Sequence, residues 1–167
     1  MQLRMVRAVL VSGLLCPMLL FVHAPKLEAQ GLRYINPPGL AKATGYTHVV
    51  VAPDGRTVYI AGQVALDSTG QLVGPGDFRR QAEQVIRNLQ RALATVGGTL
   101  DDVAKTTTFI TDLKYLPALR EVRTQYLDPK RLPASTLLVV SSLARPEFLI
   151  EVEAIAVLST VVRHTGD

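Results

Sequence analysis

The sequence predicts an α/β fold with two layers, in which a mixed β-sheet carries two helices on one face. Its 167 residues suffice for one domain with a core and are too few for two. One segment has apolar residues at helical spacing, and several β-branched, apolar segments are separated by turn residues. The resulting order is strand, strand, strand, helix, strand, helix, strand, strand, which is typical of a two-layer α/β sandwich.

The N-terminus has the layout of a secretory signal peptide. Arg4 and Arg7 precede an uncharged apolar run from Ala8 to Val22, and the first acidic residue is Glu28. This run is shorter than the about 20 residues of a membrane-spanning helix. We therefore expect an exported protein, periplasmic or extracellular, without a stable membrane span.

Small residues permit signal cleavage after Ala24 or after Ala29, and Pro25 disfavours the first of these sites. The prediction is a signal peptide over residues 1–29. The alternative is an uncleaved N-terminal helix, but polar residues at helical spacing are missing. Cleavage removes Cys16, the only cysteine, and the mature chain then tolerates an oxidising or a reducing compartment.

Three segments follow the signal peptide. Residues 30–44 contain Pro37 and Pro38 and are predicted to be an extended lead-in. Residues 45–160 form the predicted domain, and residues 161–167 form a C-terminal tail.

The domain is predicted to begin with a β-hairpin. Thr47–Ala52 and Thr57–Ala61 are rich in β-branched and apolar residues, and Pro53-Asp54-Gly55 between them supplies turn residues. A third extended segment is expected after Gly62, interrupted by the turn signal of residues 67–70.

The first helix is predicted between Asp77 and Val96. Apolar residues recur there at spacings of three and four and form one stripe. Asp77 can cap the N-terminus of this helix, and the pair Gly97-Gly98 can end it. The arginines on its other side indicate a solvated helix face.

The second half of the chain supplies three strands and a helix. Strands are predicted for Val103–Thr111, Ser135–Ser142 and Phe148–Val157, and a shorter helix for Asp112–Leu127, with Pro117 in its first turn. Because Leu137–Val140 is entirely apolar and such a strand needs cover on both faces, we expect the free face of the sheet to pack against other copies of the chain.

Composition argues against several classes of function. Aromatic residues make up 5% of the chain and Trp is absent, which leaves little material for stacking on nucleic-acid bases. One cysteine and three histidines without paired spacing argue against a metal site. The formal net charge is +4, but Arg4 and Arg7 lie in the predicted signal peptide, so the charge does not indicate an acidic partner.

A series of short motifs, in this order and at this spacing, resembles the Rid (YjgF) family over roughly residues 38–157. They are Gly45-Tyr46, Ala61-Gly62-Gln63, Gly97-Gly98, Asp102-Val103, Lys105-Thr106-Thr107, Pro133-Ala134 and the segment Ile150–Ala156. The resemblance implies a chorismate-mutase-like fold, a homotrimer, and a small-molecule site in the cleft between subunits. It also implies hydrolysis of reactive enamines and imines to keto compounds and ammonia, without a metal or another cofactor.

The resemblance assigns roles to several positions of this sequence. Glu151 corresponds to the glutamate that positions water, Tyr46 to an aromatic residue lining the cleft, and Gly62 to a glycine of close backbone approach. Without a role in the site, Glu151 would be a solvent-facing residue of its strand and Tyr46 a packing residue. Arg120 falls near a frequent asparagine of the family and is a candidate substrate-binding residue.

One position departs from the family pattern. The family arginine that binds the substrate carboxylate follows Pro-Ala, and here Ser135 stands in that place. A serine gives a neutral hydrogen bond where a guanidinium gives charge-assisted ones. Arg120, Arg123 or Arg131 can compensate if one of them reaches the cleft.

Three functions remain open from the sequence. The first is an imine or enamine deaminase with altered substrate handling, which Glu151 favours. The second is a non-catalytic trimer that binds a small metabolite, which Ser135 favours. The third is an interaction protein in which only the fold matters.

Overall fold

The computed structural model describes residues 31–159. The predicted signal peptide and the C-terminal tail lie outside the described residues. Within them the chain forms two α-helices and six strands. These are β1 (Arg33–Ile35), β2 (Val49–Val51), β3 (Gly55–Gln63), α1 (Phe78–Ala94), β4 (Val103–Ile110), α2 (Leu116–Tyr126), β5 (Ala134–Val139) and β6 (Ile150–Ser159), with 3₁₀ turns at Leu100–Asp102 and Leu113–Tyr115.

The main sheet has four strands in the order β3-β6-β4-β5. Strand β6 pairs antiparallel with β3 and with β4, whereas β4 and β5 pair parallel and are connected through α2. Because a parallel pair needs a crossover connection, α2 has to pass over the sheet between these strands. The predicted mixed α/β fold is confirmed.

The predicted hairpin is wrong. Strand β2 pairs with β1, where Val50 lies opposite Tyr34, and β3 pairs with β6 along most of its length. The turn residues are present, but β6 gives β3 a long partner on which Val58 and Ile60 reach the core. Strand β1 lies within the segment predicted as an extended lead-in.

The third extended segment is also absent as a strand. After Gln63 the chain makes only an isolated antiparallel bridge between Leu66 and Leu72, around the turn predicted at residues 67–70. Asp67 closes that turn, because its side chain accepts hydrogen bonds from the backbone of Thr69 and of Gln71.

Helix α1 confirms the predicted apolar stripe. Its N-cap residue Asp77 accepts a hydrogen bond from the backbone N–H of Arg80 at 3.1 Å, and Gly97 follows the helix with a φ of +77°. Val85 and Leu93 on the stripe are fully buried. The buried face of α1 therefore packs on the sheet, as the spacing of its apolar residues requires.

Helix α2 begins later than predicted. Asp112 caps the 3₁₀ turn Leu113–Tyr115 by accepting a hydrogen bond from the N–H of Lys114, and α2 proper starts at Leu116 with Pro117 in its first turn. An ion pair between Arg79 and Glu121 joins the two helices. The crossover helix thus lies beside α1 and above β4 and β5.

The two faces of the main sheet differ in what covers them. On β6, Ile150, Val152 and Ala154 are buried among residues of the helices and form the inner face. The residues between them project from the opposite, outer face. Outer-face residues include Tyr59, 79% exposed, and its cross-strand partner Ile155, 36% exposed. Both helices therefore lie on one face, and the other is uncovered within the described chain and exposes apolar side chains such as Tyr59 and Ile155.

Candidate functional site

The site residues predicted from the sequence fall into two groups in one chain. Tyr46, Arg120 and Ser135 line a cleft beside α2. Gly62 and Glu151 lie against each other on the outer face of the sheet. Within one chain, the residues of each group are therefore close to one another, but the two groups lie apart on different faces of the sheet.

The cleft has a volume of about 490 Å³ and lies between helix α2 and the edge strand β5. The segment before β2 forms one side, and it is held to β5 by a hydrogen bond from the N–H of Thr47 to the carbonyl of Pro133 at 3.2 Å. Most of the wall is apolar. The lining residues on the helix and the following loop include Leu116, Leu119, Leu127, Pro129 and Leu132.

Arg123 is the charged group that reaches furthest into this region. Its Nη1 donates a hydrogen bond to Oγ of Ser135 at 3.3 Å. Its Nη2 is closed off from solvent and has no hydrogen-bonding partner among the described residues. Burial lowers the pKa of the Arg123 guanidinium, because the charged form loses hydration there. The side chain also borders an internal cavity of about 40 Å³.

The sequence contained a signal for this position. Leu116, Leu119, Arg123 and Leu127 are spaced by three and four residues, so the arginine stands in the apolar stripe of α2. A charged residue on the buried side of a short helix is rare unless it is paired or functional.

Ser135 takes part in a small hydrogen-bond network. It lies beside its cross-strand partner Thr106, whose hydroxyl donates to Oγ of Ser135 at 3.1 Å. Oγ of Ser135 therefore accepts from both Thr106 and Arg123. Its own hydroxyl hydrogen remains available to an acceptor in the cleft.

The other candidate arginines are placed differently. Arg120 lines the cleft, but its side chain is exposed. Arg131 points away from the cleft wall and forms an ion pair with Asp101 at 3.1 Å. Of the three arginines considered for compensating Ser135, only Arg123 contacts it.

Tyr46 is half-buried at the mouth of the cleft. Its ring meets the ring of His48 edge to face, with 5.1 Å between the centroids. His48 in turn is bonded through Nε2 to the carbonyl of Ala41 at 2.8 Å. The imidazole is thereby tied to the backbone of the segment before β2.

The outer-face group is defined by close approach. Glu151 is half-buried on β6, and a Cβ placed on Gly62 would lie 1.9 Å from Oε1 of Glu151. No residue other than glycine leaves this carboxylate where it is. The position needs glycine for space and not for backbone conformation, since Gly62 does not have a positive φ.

The register separates the two groups. Ser135 pairs with Thr106 on the inner face, whereas Glu151 pairs with Phe109 on the outer face. Within residues 31–159, no cluster of three or more potential metal ligands occurs. In the same part of the chain, no helix has the length and apolar character needed to cross a bilayer.

Sequence and structure comparisons agree on the relatives of this chain. The family profile described as Endoribonuclease L-PSP matches residues 38–158. A RutC family protein of Pyrococcus abyssi is 37% identical over 103 residues, which cover 61% of this chain and 79% of that protein. A mouse protein named 2-iminobutanoate/2-iminopropanoate deaminase is 38% identical over 109 residues, covering 65% of this chain and 78% of the mouse protein.

Solved structures show the same relationship. The Rid-family protein YyfB of Yersinia pestis matches with a TM-score of 0.72 and 36% identity, covering 77% of this chain and 100% of that one. RidA of an Antarctic Psychrobacter matches with a TM-score of 0.58 and 33% identity, covering 71% and 92%. The resemblance seen in the sequence motifs is confirmed, and the chain belongs to the Endoribonuclease L-PSP family, also called the YjgF/Rid/RutC family.

Proposed function

We propose that the protein hydrolyses small imines, and enamines after their tautomerisation, to keto compounds and ammonia. Water adds to the imine carbon, and the C–N bond of the resulting carbinolamine breaks as nitrogen takes up a proton. The carboxylate of Glu151 accepts a hydrogen bond from the attacking water and directs its oxygen at that carbon. The name of the mouse relative supports this reaction class.

The contact between Glu151 and Gly62 is the observation that carries the proposal. A carboxylate that only faced solvent would not need a neighbour without a Cβ, yet here any side chain at position 62 collides with Oε1. The missing Cβ leaves room for the carboxylate against the backbone of β3. A water-positioning group needs its place in the site kept free in this way.

We propose that the site is completed between copies of the chain in a homotrimer. Tyr59 and Ile155 leave apolar surface exposed on the outer face, which favours its burial against other copies. In a single chain, Glu151 lies on that face and the cleft lies on the other side of the sheet. Joining the outer face of one copy to the cleft edge of the next supplies both groups to one site.

A non-catalytic trimer that binds a small metabolite is the second candidate. Ser135 favours it, because a neutral hydroxyl stands where the family pattern has a carboxylate-binding arginine. In that case the cleft binds its ligand and no hydrolysis follows.

We also propose that the chain is exported and that residues 45–160 form the functional domain. The apolar N-terminal run after two arginines supports export. The measurement is the mass of the protein recovered from the medium or periplasm. A chain starting at Gln30 is expected, and a soluble chain that keeps Met1 rules export out.

Ammonia release from freshly generated 2-iminopropanoate tests the proposed activity, with the spontaneous rate subtracted. The full mature chain is compared with Glu151→Gln, and with Glu153→Gln as the matched control on the same strand face. Loss of Glu151 is expected to lower the catalysed rate by about 10²- to 10⁴-fold, whereas the control keeps its rate. If the native chain gives only the spontaneous rate, the hydrolase is excluded and the metabolite-binding trimer is favoured.

A further inference from the structure

We propose that Arg123 of helix α2, together with Ser135 of strand β5, binds the anionic group of the ligand, which is a small monocarboxylate with an aliphatic remainder. The assignment rests on the proposed function only for the imine carbon that is hydrolysed, and not for the binding of the anionic group. In the family pattern the carboxylate-binding cation is on the strand that corresponds to β5. In this chain the cation would instead be on helix α2, which packs over β5.

The first argument is that the positive charge of Arg123 has no carboxylate partner among the described residues. Elsewhere in the described chain, Arg79, Arg87, Arg131 and Arg145 form ion pairs with carboxylates. Arg123 has no carboxylate within 4.0 Å among the described residues, although it is the most deeply placed of the cleft arginines. A guanidinium held away from water without a counterion is costly, and an anion in the cleft removes that cost.

The second argument is the direction of the donors. Ser135 Oγ accepts from Thr106 and from Nη1 of Arg123, so its own hydrogen is free to point at a cleft ligand. The serine hydroxyl and Nη1 of the guanidinium thus lie side by side, and Nη1 has a second N–H beyond the one that it gives to Ser135. Two donors at adjacent positions suit the two oxygens of a carboxylate.

The third argument concerns the rest of the ligand. Beyond Arg123 and Ser135, the wall is formed largely by leucines, among them Leu119, Leu127 and Leu137. Apolar surface of this kind favours an aliphatic chain. A monocarboxylate with a short aliphatic chain fits both parts of the wall.

The arrangement also accounts for Ser135 itself. An arginine at position 135 would put its Cγ in the place of Oγ, which now accepts from Nη1 of Arg123 at 3.3 Å, and would add a second cation to the same wall. Two cations on one wall without a counterion repel each other. The small hydroxyl is therefore the residue that tolerates a cation on α2.

Binding of 2-oxobutanoate, measured by isothermal titration calorimetry on the full mature chain, tests the assignment without requiring turnover. The same measurement with 2-oxobutanamide removes the charge and keeps the size. Native protein is expected to bind the acid more tightly than the amide. Arg123→Met is expected to weaken binding of the acid by about 10- to 100-fold and to leave the amide unchanged, while Arg123→Lys weakens it less.

Arg131→Gln is the control, since Arg131 pairs with Asp101 away from the cleft. Circular dichroism and molecular mass check that each variant folds and assembles. The assignment is overturned if Arg123→Met binds the acid as well as the native chain, if Arg120→Gln loses the binding instead, or if the native chain does not prefer the acid. Acid binding through Arg123 in a chain without hydrolase activity supports this inference and excludes only the proposed reaction.

Discussion

Arg123 reaches across from helix α2 to Ser135 on the edge strand β5, and Nη1 of the arginine lies 3.3 Å from Oγ of the serine. The contact joins the crossover helix to the strand that it precedes in the chain. It places a cation beside the position where the family pattern has one, although the strand residue itself is neutral. The effect of a substitution at position 123 therefore depends on the residue at position 135, and the reverse also holds.

Replacing Arg123 by methionine is expected to leave the free energy of unfolding unchanged or to raise it. The guanidinium is removed from water with one neutral hydrogen bond, and an apolar side chain of similar length avoids that cost. Urea unfolding without ligand, at matched protein concentration, measures the effect. A fall of about 3 kcal/mol, typical of breaking a buried ion pair, would show that a counterion is present.

Ser135→Arg alone is expected to lower the free energy of unfolding and not to improve binding of the carboxylate. The substitution adds a second cation to the wall on which Arg123 lies, and the two charges repel each other. Combining Ser135→Arg with Arg123→Met removes the repulsion and is expected to restore binding of 2-oxobutanoate towards the native level. The idea fails if the single variant binds the acid as well as the double variant does.

Gly62→Ala is expected to reduce hydrolysis strongly while leaving the fold intact. The added Cβ pushes the carboxylate of Glu151 aside, and a flexible side chain can move without unfolding the sheet. Gly31→Ala is the control, because a Cβ there meets nothing within 4 Å. The rate of ammonia release and the thermal midpoint are compared. A full rate in Gly62→Ala contradicts the role given to Glu151.

Tyr59→Glu is expected to yield monomers without activity. Tyr59 is 79% exposed on the outer face, and a charge there opposes burial against another copy. Leu113→Glu, which changes an apolar residue 60% exposed beside α2, is the control. Sedimentation velocity reports the assembly state. An assembled Tyr59→Glu protein, or an active monomer, contradicts the proposed arrangement.

The helices and the later strands could be predicted because local patterns determine them. The stripe of α1, the cap at Asp77 and the alternation along β6 are each contained in one stretch of sequence. The hairpin failed because the pairing of β3 depends on β6, which lies almost a hundred residues further along the chain. Turn residues indicate that the chain bends, but not which strand lies alongside.

The site was predictable in part for the same reason. Motifs pointed to Glu151, Gly62, Tyr46 and Ser135, and the structure brings the first two together. The contact of Arg123 with Ser135 depends on how α2 is turned above β5, and that rotation is set by packing of the whole helix. A sequence shows that an arginine stands in an apolar stripe, but not what it contacts.

The placement of Glu151 and Arg123 on opposite sides of one sheet has a genetic consequence. In an assembly of the proposed kind, each pocket takes its carboxylate from one polypeptide and its guanidinium from another. Chains carrying Glu151→Gln and chains carrying Arg123→Met, each defective alone, then form some pockets with both native residues when they are refolded together. Co-expression of the two variants is therefore expected to restore part of the rate of ammonia release that each variant lacks alone.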